Sequence, residues 1–308
     1  MKKNRYQFSY SPPNRACLVA LGLVLIVSGC KTTIDPSSVA NFATSVTAVK
    51  TQADDALNSV SALTRSASVA YAASQPTLQE ANFVETPTGE IISQWDNALS
   101  AIETYAQNLS TLLSPNAVNN FDVAATNLFK QFNQTASTLN SAAKTPNSPD
   151  FTLLATAFTQ AAGAIIQAKE EATAIKVAAA TDTNIANICN LLADEIGADR
   201  LTAPGLRKTI YESVWVPDLA NLNLQFLNAK TPVEKLSISQ QYADLLAKRD
   251  AEDQILAGLR RSLLLLSDAH HTLAQGKSAS IQADLNVVAS EIQHTRDLYN
   301  QFSSLTNK

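Results

Sequence analysis

The apolar residues of this chain recur in steps of three and four, and that spacing constrains the fold more than any other feature. Val39, Phe42, Val46, Val49, Ala53, Ala56, Val60, Leu63, Ala67 and Ala70 follow the pattern without interruption over about four heptads. Residues so spaced share one face of an α-helix, whereas a half-buried strand needs strict alternation, of which the chain has no useful length. The pattern returns in Ile91, Trp95, Ala98, Ile102, Tyr105, Leu109 and Leu112, and again in Phe121, Ala125, Leu128, Phe132, Thr135, Leu139 and Ala142. A further stripe runs through Phe151, Leu154, Phe158, Ala161, Ile165, Ala168, Ala172, Ile175 and Ala179. Its phase slips near residues 181–184, where a stutter or short break is expected. Ile185, Ile188, Leu192 and Ile196 then lead to Gly197, a residue suited to the left-handed turn after a helix.

Helix breakers and caps divide the pattern. Asp35 and Pro36 fit the N-cap and first position of the first helix, and Gln75-Pro76 stops it. Ser114-Pro115 breaks the second stripe, and "TPNSPD" at 145–150 is the clearest linker in the chain. "LTAPG" at 201–205 is a second loop, and residues 206–230 predict two shorter helices split at Val216-Pro217, with Asp218 as a cap. Thr231-Pro232-Val233-Glu234 is a capping box that opens a helix ending near Gly276. Its stripe is Leu245, Leu256, Leu259, Leu263, Leu266 and Leu273, with Arg249 and Glu252 at two stripe positions. Ile281, Leu285, Val288, Ile292, Thr295, Tyr299 and Phe302 mark the last helix. The expected fold is all-α, an elongated antiparallel bundle with coiled-coil-like long helices, the longest about 60 Å at 1.5 Å per residue. Residues 36–144 form a first helical segment and residues 150–308 a second, packed with the first in one bundle.

The N-terminus reads differently. Lys2, Lys3, Arg5 and Arg15 precede an apolar run from Ala16 to about Gly29, with no acidic residue among them. The run is shorter than the roughly 20 residues a membrane-spanning helix needs and has the length of a signal-peptide core. It ends in Val27-Ser28-Gly29-Cys30, small residues followed by a thiol. This order of charge, apolar core and box resembles the lipobox of bacterial lipoproteins. The resemblance covers about the first tenth of the chain. It implies that residues 1–29 are a signal peptide cut between Gly29 and Cys30. It also implies that Cys30 carries a covalent diacylglycerol and that residues 30–35 are a short tether. In that class an Asp after the Cys commonly retains the protein at the inner membrane; Lys31 stands there instead, which implies the outer membrane, facing periplasm or cell surface.

Loss of residues 1–29 removes four basic and no acidic residues, leaving 19 basic against 27 acidic. A net-acidic body argues against a nucleic-acid partner, which requires a basic face. Cys17 leaves with the signal and Cys30 takes the lipid, so Cys189 has no partner for a disulfide and stability rests on packing. Between Ile188 and Asn190, Cys189 reads as a small buried hydrophobe.

The strongest motif for chemistry is a pair, Asp268-Ala269-His270-His271 and Glu291-Ile292-Gln293-His294. Glu-x-x-His places two ligands on one helical face, as in carboxylate-bridged di-metal bundles. A hairpin turning at Gly276 separates His271 from His294 by about 18 Å along the axis, so one metal cannot take both. His270, His271 and His294 are therefore weak metal candidates, and no catalytic residue and no cofactor beyond the Cys30 lipid are expected. His270 lies on its stripe and reads as a hydrogen-bonded interface residue; His294 lies off its own. Glu170-Glu171, Asp194-Glu195 and Asp250-x-Glu252-Asp253 read as solvated helix faces, and Trp95 and Trp215 as core aromatics. Residues 151–168, "FTLLATAFTQAAGAIIQA", carry no charge; their 3-4 spacing reads as a buried helix, and the alternative is a membrane-inserting segment of pore-forming type.

The expectation from sequence is a non-enzymatic, outer-membrane-anchored helical bundle that binds or scaffolds a protein partner of the cell envelope. The heptads leave the oligomeric state open, because they serve pairing within and between chains equally.

Overall fold

Asp35 closes the open end of the first helix: its carboxylate accepts from the Ser37 backbone N–H (3.2 Å) and from the Ser37 hydroxyl. In a computed structural model, residues 35–73, 76–83, 86–112, 117–142, 151–168 and 174–306 are described. Residues from Ile34 onward form one compact unit. The unit is all-α. Its helices are α1 (Pro36–Ala73), α2 (Gly89–Leu112), α3 (Ala117–Ala142), α4 (Thr152–Ala168), α5 (Ala174–Ile196), α6 (Leu206–Ile210), α7 (Val216–Asn228), α8 (Pro232–Ala274) and α9 (Ser278–Thr306), with no strand among the described residues. Gly29 and Cys30, and with them the proposed cleavage and lipidation sites, lie outside the described residues, as do Glu170 and Glu171.

Most stripes read from the sequence are the faces the helices bury; the exception is the start of α5, where Ala174, Val177, Ala178 and Thr181 are buried while Ala179, placed on the expected stripe, is exposed. Val39, Phe42, Val46, Val49, Ala53, Ala56 and Val60 of α1 are almost wholly excluded from solvent, as are Ala98, Ile102, Tyr105 and Leu109 of α2. Helices α1 to α5 each pack on the next, α5 packs on α8, α8 on α9, and both α8 and α9 return to α1. Polar contacts fix the directions. Lys50–Asp96 (2.6 Å) and Thr47–Glu103 (2.6 Å) run α1 antiparallel to α2. Asn41–Gln282 (3.0 Å) brings the first turns of α1 and α9 together, so these two helices run parallel.

Helix α4 supplies Phe151, Leu154, Ala155, Phe158, Ala161, Ala162 and Ile165 to the core, while Leu153 and Ile166 face outward. Its 17 residues are short of a membrane span, and no helix among the described residues is long and apolar enough to cross a membrane. The continuous stripe expected from 151 to 179 divides: α4 stops at Ala168, α5 starts at Ala174, and the two pack on each other. The break expected at 181–184 is absent, and α5 runs through it unbroken. Thr181, which interrupts the apolar stripe, satisfies its buried hydroxyl within the helix by donating to the Val177 carbonyl (2.8 Å).

Two turns set the geometry of the later helices. At 197–205 the backbone doubles back on itself, with Gly197 (φ +88°) and Gly205 (φ +132°) in left-handed space. A Cβ on Gly205 would lie 2.7 Å from the Gly197 nitrogen, so only glycine fits. The split expected at Val216-Pro217 does not occur. Residues 206–228 stay helical, and a π-turn at Tyr211–Trp215 precedes the proline. The wider turn gives the Pro217 ring room beside the carbonyl it would meet in a regular helix.

Helix α8 begins at the expected capping box, with Thr231 Oγ1 accepting from Glu234 N–H (3.2 Å) and Glu234 accepting from Thr231 N–H (3.0 Å). At 43 residues it is about 64 Å long. Its buried residues all lie from Ala251 onward, so the C-terminal half is core and the N-terminal half projects with α7.

Candidate functional site

Two polar assemblies interrupt the core. The first is centred on His270, which is fully buried. Its Nε2 meets the Tyr105 hydroxyl at 2.8 Å, and its Nδ1 lies 3.2 Å from Asp182 Oδ1. Tyr105 also bonds Thr181 Oγ1 (2.7 Å), and the second Asp182 oxygen takes His271 Nδ1 (2.6 Å). Phe42 and Tyr105 tilt against the His270 ring at 5.6 Å, Phe132 lies 5.9 Å from Tyr105, and Phe158 stands edge-on to Phe132 at 5.3 Å. Side chains of α1, α2, α3, α4, α5 and α8 thus meet in one column.

The order Asp182–His270–Tyr105 has the form of a proton relay, but it is sealed. Burial lowers the His270 pKa, opposed by Asp182, so the imidazole is neutral at pH 7. Burial also holds the Tyr105 phenol well above its usual range, despite its bond to Thr181. The hydrogen bonds to His270 and His271 lower the Asp182 carboxyl. His270 and Tyr105 are fully buried while Asp182 is partly exposed, and the linked hydrogen bonds fix the register of α2, α5 and α8.

His270 and His271 share Asp182, but His294 does not join them. His271 is more than half exposed on the rim of the column, Asp268 faces solvent, and His294 is exposed on α9. Glu291 pairs with Arg261 (2.7 Å) instead of sharing a ligand with His294. Among the described residues no cluster of three or more His, Cys, Asp or Glu side chains is arranged to hold a metal. Cys189 is buried, and burial pushes its thiol up to about 12.

The second assembly lies around Glu252, and here the reading of 250–253 as a solvated face is corrected. Glu252 is buried at 4% exposure and accepts a hydrogen bond from Trp215 Nε1 (3.1 Å). Burial raises its carboxyl to about 8, the Trp215 bond opposing, so it is mostly protonated at pH 7. Its other oxygen has no protein partner. The flanking carboxylates are ion-paired. Arg207 grips Asp253 through Nε (2.8 Å) and Nη2 (3.0 Å), and Arg200 reaches Asp250 (2.8 Å), which also holds Arg249 (2.8 Å). Arg200 and Arg207 come from the 197–205 turn and α6, so the network ties the turn to the middle of α8.

Trp215 forms the floor of a groove of about 540 Å³ between the second half of α1, the π-turn, α8 and α9. Leu63, Val214, Leu245, Tyr299 and Phe302 give it apolar walls, and Asn58, Asp218 and Lys248 add polar groups. Partial burial raises the Asp218 carboxyl. The groove's α1 residues, 58–67, lie about 35–48 Å along that helix from Asp35. Sequence pattern did not reveal this site: Trp215 was legible as a core residue, but its contact with Glu252 joins positions 37 apart. The one clue was an acid on an apolar stripe. Comparison with known proteins gives no matching family model, no matching curated protein and no matching solved structure.

Proposed function

We propose that this chain is a lipid-anchored, non-enzymatic binding protein of the cell envelope that holds an amphipathic helical segment of a protein partner in the Trp215 groove. The groove carries the reading. Its volume falls within the usual range for ligand sites, and three aromatic side chains line it beside a few polar groups. An open channel between long helices suits a helix laid in a groove, anchored by apolar side chains at three- and four-residue steps. The sealed His270 column supports a scaffold role over catalysis, because the chemically capable groups are out of reach of a substrate. Lipid on Cys30 would hold the chain to the outer membrane, and the five peptide units to Asp35 span at most about 18 Å.

Affinity capture from solubilised membranes tests the reading, using the wild-type chain and Leu245→Glu as bait. Leu245 stands in the groove wall and not in the sealed core. An envelope protein retained by wild type and lost from a variant of unchanged helicity is expected. Equal recovery by both baits removes the groove as the binding site. Loss of acyl labelling in Cys30→Ser tests the anchor separately.

A further inference from the structure

Helix α7 carries two apolar faces. Leu222 and Phe226 lie against Ile238 and Tyr242 of α8. The other face is Val216, Ala220, Leu224 and Leu227, spaced four, four and three residues apart. Val216 is 44% exposed, Leu224 59% and Leu227 66%, and every residue of α7 is at least partly open to solvent. Such spacing is how a helix meets another helix, and the side of α7 that meets α8 is already in use.

The exposed stripe is complementary to itself when run backwards. A two-fold axis near Asn221 and Leu222 sets Val216 against Leu227 of a second copy, and Ala220 against its Leu224, small against large. The same axis brings exposed Glu212, in the π-turn and 3.8 Å from Lys208 one turn earlier, opposite exposed Lys230, just past the end of α7. Opposite charges thus flank both ends of the stripe. We infer that α7 is a self-association surface, on which two copies pair antiparallel through Val216, Ala220, Leu224 and Leu227, with Glu212–Lys230 pairs at the rim. One helix face buries less than the roughly 800 Å² per partner of a standard interface, so the dimer is weak and concentration-dependent. Val233 and Leu236, exposed at the start of α8 beside the same end, enlarge the apolar area.

Sedimentation equilibrium tests the pairing, using residues 30–308 with Cys30→Ser, which contain the whole compact unit. Mass should rise toward that of a dimer between about 1 and 300 µM, the range expected for so small an interface. Leu224→Asp with Leu227→Asp should hold the chain monomeric with unchanged helicity, because both side chains are exposed. Lys230→Glu should weaken association roughly tenfold through two symmetry-related rim pairs, and adding Glu212→Lys should restore it. Ala220→Cys should cross-link copies through a short bis-maleimide, Cys189 being buried. A monomer throughout the range, a dimer that survives the double Asp variant, or a charge swap that fails to restore association overturns the pairing. Monomeric protein that binds anionic vesicles through the same leucines would also overturn it and assign the stripe to a bilayer.

Discussion

Glu252 stands at a position of α8 that the 3-4 spacing gives to an apolar residue, and it is buried as such a residue would be. A carboxylate there would leave water without an opposite charge in direct contact, so the group holds its proton instead. Its pKa rises from an ordinary 4.5 to about 8 on folding. Between those values the folded chain keeps a proton that the unfolded chain has lost. Stability therefore falls as pH rises through the window, and the contribution is gone above the folded value. The Tm of the wild-type chain should fall between pH 7 and pH 9. Glu252→Gln, which keeps an oxygen for Trp215, should remove that part of the slope and melt several degrees above wild type at pH 8.5. Calorimetry across pH checks this; a wild-type-to-variant difference that does not change with pH rules out the buried acid. The position was legible in the sequence as an anomaly on the stripe. Its partner was not, because Trp215 reaches it only through the fold of the 197–228 segment.

At the scale of elements, the clearest constraint is the crossing of α8 and α9. A Cβ on Gly258 would stand 2.1 Å from Thr295 Oγ1 and 3.2 Å from Thr295 Cβ, and Thr295 is itself buried with its hydroxyl bonded to the Glu291 carbonyl (2.9 Å). Alanine at a mid-helix glycine ordinarily gains about 0.5–1 kcal/mol. Here overpacking opposes it by about 1–3 kcal/mol. Gly258→Ala should therefore lower the denaturation midpoint, and Gly258→Ala with Thr295→Ala should recover much of the loss. A midpoint raised by the single variant would show that the two helices separate freely. Helix boundaries were largely readable, because caps act within four residues: Asp35 and the Thr231–Glu234 box stand where local chemistry places them. Pro217 misled because its cost depends on the turn before it, and a π-turn avoids the clash that would end a regular helix.

At the scale of the whole molecule, the His270 column decides how the helices meet. Six of them contribute a ring or a polar group to it; shifting α2, α5 or α8 would orphan a buried hydrogen bond, at about 1–3 kcal/mol each, and shifting α1, α3 or α4 would break a ring contact. His270 is neutral when folded because burial lowers its pKa from 6.5, whereas the unfolded chain gains a proton as pH falls through that value. This contribution declines as pH drops from 7 toward 5, opposite in sign to that of Glu252, so it is read in the Glu252→Gln background. The facing groups do not cancel the trend. Asp182 is lowered from an ordinary 3.8 and titrates below this window, and Tyr105 is raised and titrates far above it. Added to Glu252→Gln, His270→Gln, which can still bond Tyr105, should lower stability at pH 7 yet leave it nearly flat between pH 7 and 5, as followed by helical circular dichroism. A double variant with the acid slope of Glu252→Gln alone would place the titration elsewhere.

The spacing of apolar residues by itself determined that the chain is helical, which face of most of the long helices is buried and where most helices stop, because these depend on period and on caps a few residues away. Thr181 and Glu252 mark the limit of that reasoning: each was visible as a polar residue on an apolar stripe, without its partner. Only the tertiary structure brought Tyr105, Asp182 and His270 into one column, joined Trp215 to Glu252 and opened a groove beside them. Those contacts span 37 to 165 residues of chain and depend on how helices pack, which no local pattern encodes.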